Sequence, residues 1–334
     1  MSTTHVPVLA FFNNKGGVGK TSMIYHVAWM FAEQGVRVIA ADLDPQANLT
    51  AAFLDEERLE QVLSAPDHPQ TIFGCLRPLK RGTGDIAPPH VEIISDRLGL
   101  ILGDMALSSF EDQLSEVWPK CMDGDERAFR VISAFWRTLQ NAAKTHGAEV
   151  VLIDLGPNLG AINRAALIAT DFIVVPLGPD LFSLQGLENL GPALRRWRTE
   201  WKDRLLRNPA DDLALPPGRI TPIGYIVVRY SVRLDRPVKA YERWIAKIPG
   251  TYRQSVLDET IEEAVTIDSD QNCLSRLKDY RSLMPLAQES RKPMFFLKPA
   301  DGALGAHANV VAEAYKDFKM LTKKIAHGIG VNLS

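Results

Sequence analysis

The sequence predicts an α/β protein, a mostly parallel twisted sheet with helices on both faces, on three observations. Apolar strand-like runs alternate with helix-length amphipathic segments along much of the chain. One strand-to-helix junction, KGGVGKTS at residues 15–22, has the glycine-rich turn and Lys-Thr pair of a phosphate-binding loop. Two other apolar runs end in acidic motifs, DLDPQ at 42–46 and IDLGP at 153–157. Such runs deliver carboxylates to the C-terminal edge of a parallel sheet, where open α/β folds bind ligands.

Taken in order, residues 6–12 (VPVLAFF) read as a buried strand and 21–34 as the helix leaving the loop, ended by Gly35. Further strands are expected at 36–42, 91–94, 98–102, 150–154, 172–175 and 220–228. Residues 55–89 are rich in Pro, Gly and charge, and NPADDLALPPG at 208–218 reads as an exposed loop. With no internal repeat or linker, the expected organisation is one domain, 1–334, with insertions near 55–90 and 205–219.

Composition narrows the class. The 334 residues are 46% apolar, ample for a core, and no apolar run approaches the ~20 residues of a membrane span. The start, MSTTHVP, lacks the basic and apolar regions of a secretion signal, so a cytoplasmic location is expected. Cys75, Cys121 and Cys273 are odd in number and widely spaced, which fits neither a disulfide framework nor a metal-ligand pattern.

The loop carries a definite chemistry. Small residues let successive backbone N–H groups turn inward around phosphate oxygens, and the helix N-terminus adds partial positive charge. Lys20 is placed to neutralise the β and γ phosphates, and Thr21 to give its hydroxyl to a Mg²⁺ ion bridging them. Gly16, Gly17, Val18, Gly19 and Ser22 complete the cradle, which Lys15 opens. Asp42 and Asp44 face the same edge, and Asp154 ends its strand in a Walker B arrangement.

Together NNKGGVGKTS (13–22), GVRVIAADLDPQANLT (35–50), IDLGPNLG (153–160) and TDFIVVPLGPDLFSLQGL (170–187) resemble the ParA/MinD family of deviant-Walker P-loop ATPases, and more closely its ParA/Soj branch. The likeness covers most of residues 6–190, and SLMPLAQESRKPMF (282–295) is similar to the family's late helix and strand. The resemblance implies an ATP-driven switch. Two chains enclose ATP between them, and Lys15 reaches across to the partner's phosphates, while Gly16 stays small where the partner approaches. It further implies that Asp44 positions the attacking water, and that Asp42 and Asp154 stand in the outer shell of Mg²⁺. Hydrolysis with a slow basal rate, and a ParB-like or other activating adaptor protein, are implied in the same way. The chain departs from the family pattern at Leu155 and Gly156, which precede Pro157, and at Arg229 and Tyr230, where the family often places a base-reading Asn.

Charge distribution suggests a partner independently. Residues 193–253 hold 14 Lys+Arg against 6 Asp+Glu, whereas the rest of the chain is acidic by 10, so the overall −2 conceals a polarity. In RRWRTEWKDRLLR, the residues Leu194, Trp197, Trp201 and Leu205 form an apolar stripe that leaves Arg195, Arg196, Arg198 and Lys202 largely toward water. A second basic series runs through Arg229, Arg233, Arg236, Lys239, Arg243 and Lys247. Such surfaces bind phosphate backbones without reading sequence, as ParA-type dimers do on the nucleoid; a solvated basic face or a protein interface is the alternative. The segment 310–325 has an apolar face of Val311, Tyr315, Phe318, Leu321 and Ile325, compatible with a bilayer surface in the manner of MinD and, more simply, with packing on the sheet. The expected function is therefore an ATP-dependent dimerising ATPase that partitions or positions DNA or other cargo. A metabolic P-loop ligase and a membrane-cycling regulator are the alternatives.

Overall fold

In the computed structural model, which describes residues 5–228, 238–260, 265–280, 283–303 and 305–333, the apolar runs become the strands of a sheet. They are β1 (Val8–Phe11), β2 (Val38–Asp42), β3 (Glu92–Ser95), β4 (Leu98–Ile101), β5 (Val150–Asp154), β6 (Phe172–Leu177), β7 (Thr221–Val227) and β8 (Cys273–Arg276). Their order is β3-β4-β2-β5-β1-β6-β7-β8, with every pair parallel except β3 with β4. The strands expected from sequence are all present. β8 was not foreseen, since CLSR is short and only Leu274 in it is buried.

Between the strands lie helices α1 (Lys20–Glu33), α2 (Asn48–Phe53), α3 (Glu56–Ser64), α4 (Ile72–Arg81), α5 (Glu111–Lys120), α6 (Glu126–Ile132) and α7 (Ala134–His146). They continue with α8 (Ala161–Ile168), α9 (Leu181–Leu205), α10 (Val238–Ile245), α11 (Ile248–Thr251), α12 (Leu283–Ser290) and α13 (Ala306–Ile329). Period-two alternation assigns the two faces of the sheet. Val8, Ala10 and Phe12 point into a core shared with α4 to α9, while Leu9 and Phe11 point into one shared with α1, α12 and α13. The stretch 55–89, expected only as a Pro-, Gly- and charge-rich insertion, holds α3 and α4. The latter buries Ile72, Cys75, Leu76 and Leu79 under a Thr71 cap.

Three sequence expectations need correction. Leu194, Trp197 and Trp201 are buried as foreseen, but Leu205 is only partly so. Arg195 and Arg198 do not face water freely: Arg195 donates to the Ser255 carbonyl at 2.6 Å and pairs with Asp258, and Arg198 donates to Ile220 O at 3.2 Å. Both guanidiniums tie off carbonyls where segments cross α9, so of that set Arg196 and Lys202 remain exposed. Finally, the loop 208–218 is exposed at Pro209, Asp211, Asp212, Ala214 and Pro217 but anchored between them, with Ala210 and Leu213 buried and Pro216 O accepting the Trp201 indole N–H at 2.9 Å. The apolar face of α13 is spent internally, because Ala314, Phe318, Leu321 and Ile325 are buried in the core beside α1. No helix among the described residues is long and apolar enough to cross a membrane.

His26, fully buried on α1, fixes the phosphate-loop helix to the chain before α13. Its Nδ1 donates to Ser22 O at 2.7 Å, and its Nε2 accepts the Met294 N–H at 3.1 Å. A proton on Nε2 would oppose that N–H, and burial pushes the imidazole pKa from 6.5 down to about 4. Between pH 6.5 and about 4 the unfolded chain therefore binds a proton that the folded chain refuses, so stability present above pH 6.5 is lost as pH falls. The loss approaches about 3 kcal/mol at the lower end. Urea denaturation of wild type and His26→Gln across this window is expected to give curves that converge as pH falls, other groups cancelling in the difference. Parallel curves would remove His26 from the acid response.

Candidate functional site

Gly17 and Gly19 adopt left-handed backbone conformations, φ 73° and 77°, which an L side chain resists, and Gly19 leads directly into α1. Asn13, fully buried, stiffens the entry: its Nδ2 donates to Pro176 O at 2.8 Å while its Oδ1 accepts the Lys15 N–H at 2.9 Å. Val18 is buried beneath the turn. The outcome is a cavity of about 680 Å³, within the range of small-ligand sites, lined by Gly16, Gly17, Gly19, Lys20, Thr21 and Ser22. Its other walls are Tyr25 and His26 from α1, Asp44, Gln46 and Asn48 after β2, Ala51 and Ala52 of α2, Pro157, and Met284, Ala287 and Gln288 of α12.

Lys20 is 7% exposed, and desolvation lowers its pKa while Asp154 and Asp44 pull it back up. Asp42 and Asp154 end adjacent strands in register. Burial, with neighbouring carboxylates, pushes both well above the usual carboxylate range. Asp42 is committed internally: its Oδ2 accepts the N–H and hydroxyl of Thr50, each at 2.8 Å. Asp44 Oδ1 accepts the Gln46 N–H at 3.0 Å. Asp154 Oδ2 is buried without a hydrogen-bond partner, and Thr21 lies against the same carboxyl. An orphaned carboxylate oxygen beside a hydroxyl is a hard-oxygen set that fits Mg²⁺. Among the described residues no three acidic, His or Cys side chains form a self-contained metal centre.

Lys15 stands apart from this cluster. Its ammonium donates to Asp180 Oδ2 at 2.5 Å, with Ser183 Oγ at 3.5 Å, and Lys15 is not among the residues that line the cavity. Asp180 also caps α9, its Oδ1 accepting the Ser183 N–H at 3.0 Å. At the same sheet edge Met105 (69%), in the helical turn after β4, and Leu181 (42%) and Phe182 (66%), at the start of α9, are exposed. Of the basic residues expected to meet DNA, Arg196 and Lys202 lie exposed on α9; Arg229, Arg233 and Arg236 fall outside the described residues, as does the side chain of Lys239. Sequence reasoning missed Asp180, Tyr25, Met284 and Gln288. The Pro-Asp step before a helix was a readable capping signal for the first, and helical spacing from Thr21 places Tyr25 one turn along α1, whereas Met284 and Gln288 are brought in by tertiary packing.

Residues 6–206 match the family model described as an AAA domain. The chain is 33% identical over 178 residues to protein IncC of Escherichia coli, covering 53% of this chain and 43% of IncC, so it spans under half of that relative. To the chromosome partitioning protein ParA of Caulobacter vibrioides it is 29% identical over 205 residues, covering 61% of this chain and 68% of ParA. Among solved structures, a Corynebacterium diphtheriae protein superposes with a TM-score of 0.68 at 21% identity, covering 97% of this chain and 99% of that one. The ATP complex of a Cyanothece McdA variant superposes with a TM-score of 0.61 at 16% identity, over 99% and 98% of the two chains. With a phosphate loop, two acidic strand ends and a forward lysine on one sheet edge, and with this family model covering more than half its length, the chain belongs to the AAA-domain family so described and, with its ParA relatives, to the ParA/MinD family.

Proposed function

We propose that the protein is an ATP-dependent dimerising ATPase that partitions or positions DNA or other cargo. The observation that carries this reading is the placement of Lys15, paired with Asp180 and absent from the cavity lining. A lysine at the front of a phosphate loop that does not line the loop's own cavity, and that is held by the part-exposed Asp180, can exchange that partner for phosphates supplied from outside the chain. Two features support a partner there. A Cβ at Gly16 would meet nothing nearer than Pro157 at 3.9 Å, so its smallness serves no need inside one chain. The exposed Met105, Leu181 and Phe182 flank the same edge.

In this reading the loop amides and Lys20 hold the β and γ phosphates, and Thr21 with Asp154 would hold Mg²⁺, with Asp42 behind them. Bound Mg²⁺ supplies charge neutralisation at the phosphate oxygens. Asp44, 7% exposed on the cavity wall, orients the attacking water. Asp44→Ala is therefore expected to spare MgATP binding and to lower turnover by about 10²-fold, on the scale of a lost proton-handling group. Phosphate-release kinetics provide the check, and wild-type turnover in the variant would move the role elsewhere. An activating adaptor of ParB type is proposed from the partition functions named for the relatives.

The cargo link is proposed to run through non-specific DNA. Two weak basic patches joined by dimerisation bind one duplex with multivalent gain, so affinity is expected to rise with ATP and to fall steeply with salt. Replacing Arg229, Arg233 and Arg236 by Glu is expected to weaken all duplexes alike, each lost phosphate contact reducing the log–log salt slope by about 0.9. Mobility shifts on unrelated duplexes with ADP and with a non-hydrolysable ATP analogue test this. Absence of binding in both states at low salt would turn the proposal toward a protein scaffold.

A further inference from the structure

The loop between Asp154 and α8 is held by two side chains that the mechanism above does not use. Glu111, the first residue of α5, turns both carboxylate oxygens onto the opening of α8: Oε1 accepts the Ala161 N–H and Oε2 the Ile162 N–H, at 2.5 and 2.8 Å. Those two N–H groups belong to the first helical turn, which has no partner of its own, and a negative charge there also opposes the helix dipole favourably. A Cβ at Gly160 would stand 2.6 Å from Glu111 Oε1, so the approach depends on glycine at that position. From the other side Asn163, 1% exposed, donates its amide Nδ2 to Gly156 O at 2.8 Å and Asn158 O at 2.7 Å. Its two protons satisfy two carbonyls that the helix cannot reach.

What these clamps hold is adjacent to the chemistry. A Cβ at Gly156 would lie 3.3 Å from Asp44 Oδ1, so the loop backbone rests against that carboxylate. One residue on, Pro157 lines the phosphate cavity and stands beside Gly16. Leu155 and Gly156 put no polar side chain here; within the loop Asn158 Oδ1 accepts the Gly160 N–H at 2.9 Å and a second contact from Asn163 Nδ2 at 3.1 Å, while Glu111 and Asn163 tie the loop to the helices around it. We infer that Glu111 and Asn163 are positioning residues for ATP hydrolysis, clamping the loop after Asp154 so that Asp44 and the cavity wall keep a fixed spacing. This rests on the ATPase reading above.

Misplacing a catalytic group by about 1 Å can cost up to 10²-fold, whereas phosphate binding depends chiefly on Lys20 and the loop amides. Glu111→Gln is nearly isosteric and keeps one acceptor; Asn163→Leu keeps the volume and removes the donor. Each is expected to lower kcat for MgATP by about tenfold while KM stays within about twofold, with Glu111→Ala falling further than Glu111→Gln. Hydrogen exchange of a peptide spanning 156–165 is expected to accelerate in all three. Three results would overturn the inference. One is wild-type kcat in both Glu111→Gln and Asn163→Leu, and another is unchanged exchange at 156–165. The third is KM rising in step with any fall in kcat, the signature of general loosening. A wild-type chain that binds MgATP without hydrolysing it overturns the ATPase reading itself, whereas the three results above, in a wild type that does hydrolyse, overturn the inference alone.

Discussion

Lys20→Ala is expected to lose MgATP binding by roughly 30- to 4,000-fold. Lys20 is the buried cation of the loop, 7% exposed, and the carboxylates of Asp154 and Asp44 favour its charge. Truncating one partner of a desolvated, hydrogen-bonded charge pair costs about 2–5 kcal/mol, and each 1.4 kcal/mol is a decade in affinity. The polyphosphate would then face Asp44 and Asp154 with no fixed counter-charge. Burial lowers the lysine's pKa because desolvation outweighs the pull of Asp154 and Asp44, so removal of the ammonium is not expected to unfold the protein. Titration calorimetry therefore reads binding cleanly, with a thermal melt as the control: the melting temperature without nucleotide holds, and the upward shift given by MgATP to the wild type disappears. Wild-type affinity in the variant would overturn the assignment of the loop.

Most of the frame was legible because it rests on local rules. Residues 6–12, 36–42 and 150–154 are apolar runs too short for helices and bounded by turn signals, and they became β1, β2 and β5. The phosphate loop is contiguous, so its spacing alone places Gly19 before a helix and Lys20 at its start. What escaped notice depends on contacts between distant segments. Arg195 and Arg198 satisfy the basic-face pattern of α9 by periodicity, yet the Ser255 and Ile220 carbonyls that occupy them lie 60 and 22 residues away. Glu111 gave no signal, because its acceptor role exists only where α5 meets the start of α8, some 50 residues on. Tyr25 and Gln288 likewise meet across the cavity only after α1 and α12 pack. Strand β8 failed for a different reason. Cys273–Arg276 has no hydrophobic alternation, and its place is secured by pairing with β7 at the sheet margin.

Lys15→Ala is expected to separate binding from assembly. The side chain contributes nothing to the lining of its own cavity, so removing it leaves Lys20 and the loop amides in place and one-to-one MgATP binding close to the wild type. Its loss deletes the charge offered to a partner's phosphates. A charge-assisted contact of this kind, desolvated between two chains and made twice by symmetry, is worth about 2–5 kcal/mol per copy by truncation, enough to dissolve a dimer of ordinary affinity. Asp180, the residue that holds Lys15 within one chain, would be left with Ser183 alone.

The decisive measurement is the solution mass with Mg²⁺ and a non-hydrolysable ATP analogue, by size exclusion with light scattering over a concentration series. Wild type is expected to move from the 37.0 kDa chain mass with ADP to twice that value with the analogue, while Lys15→Ala binds the analogue and keeps the single-chain mass. A wild-type chain that stays monomeric with the analogue at every concentration, or a Lys15→Ala variant that dimerises as readily as the wild type, would contradict the nucleotide-gated dimer.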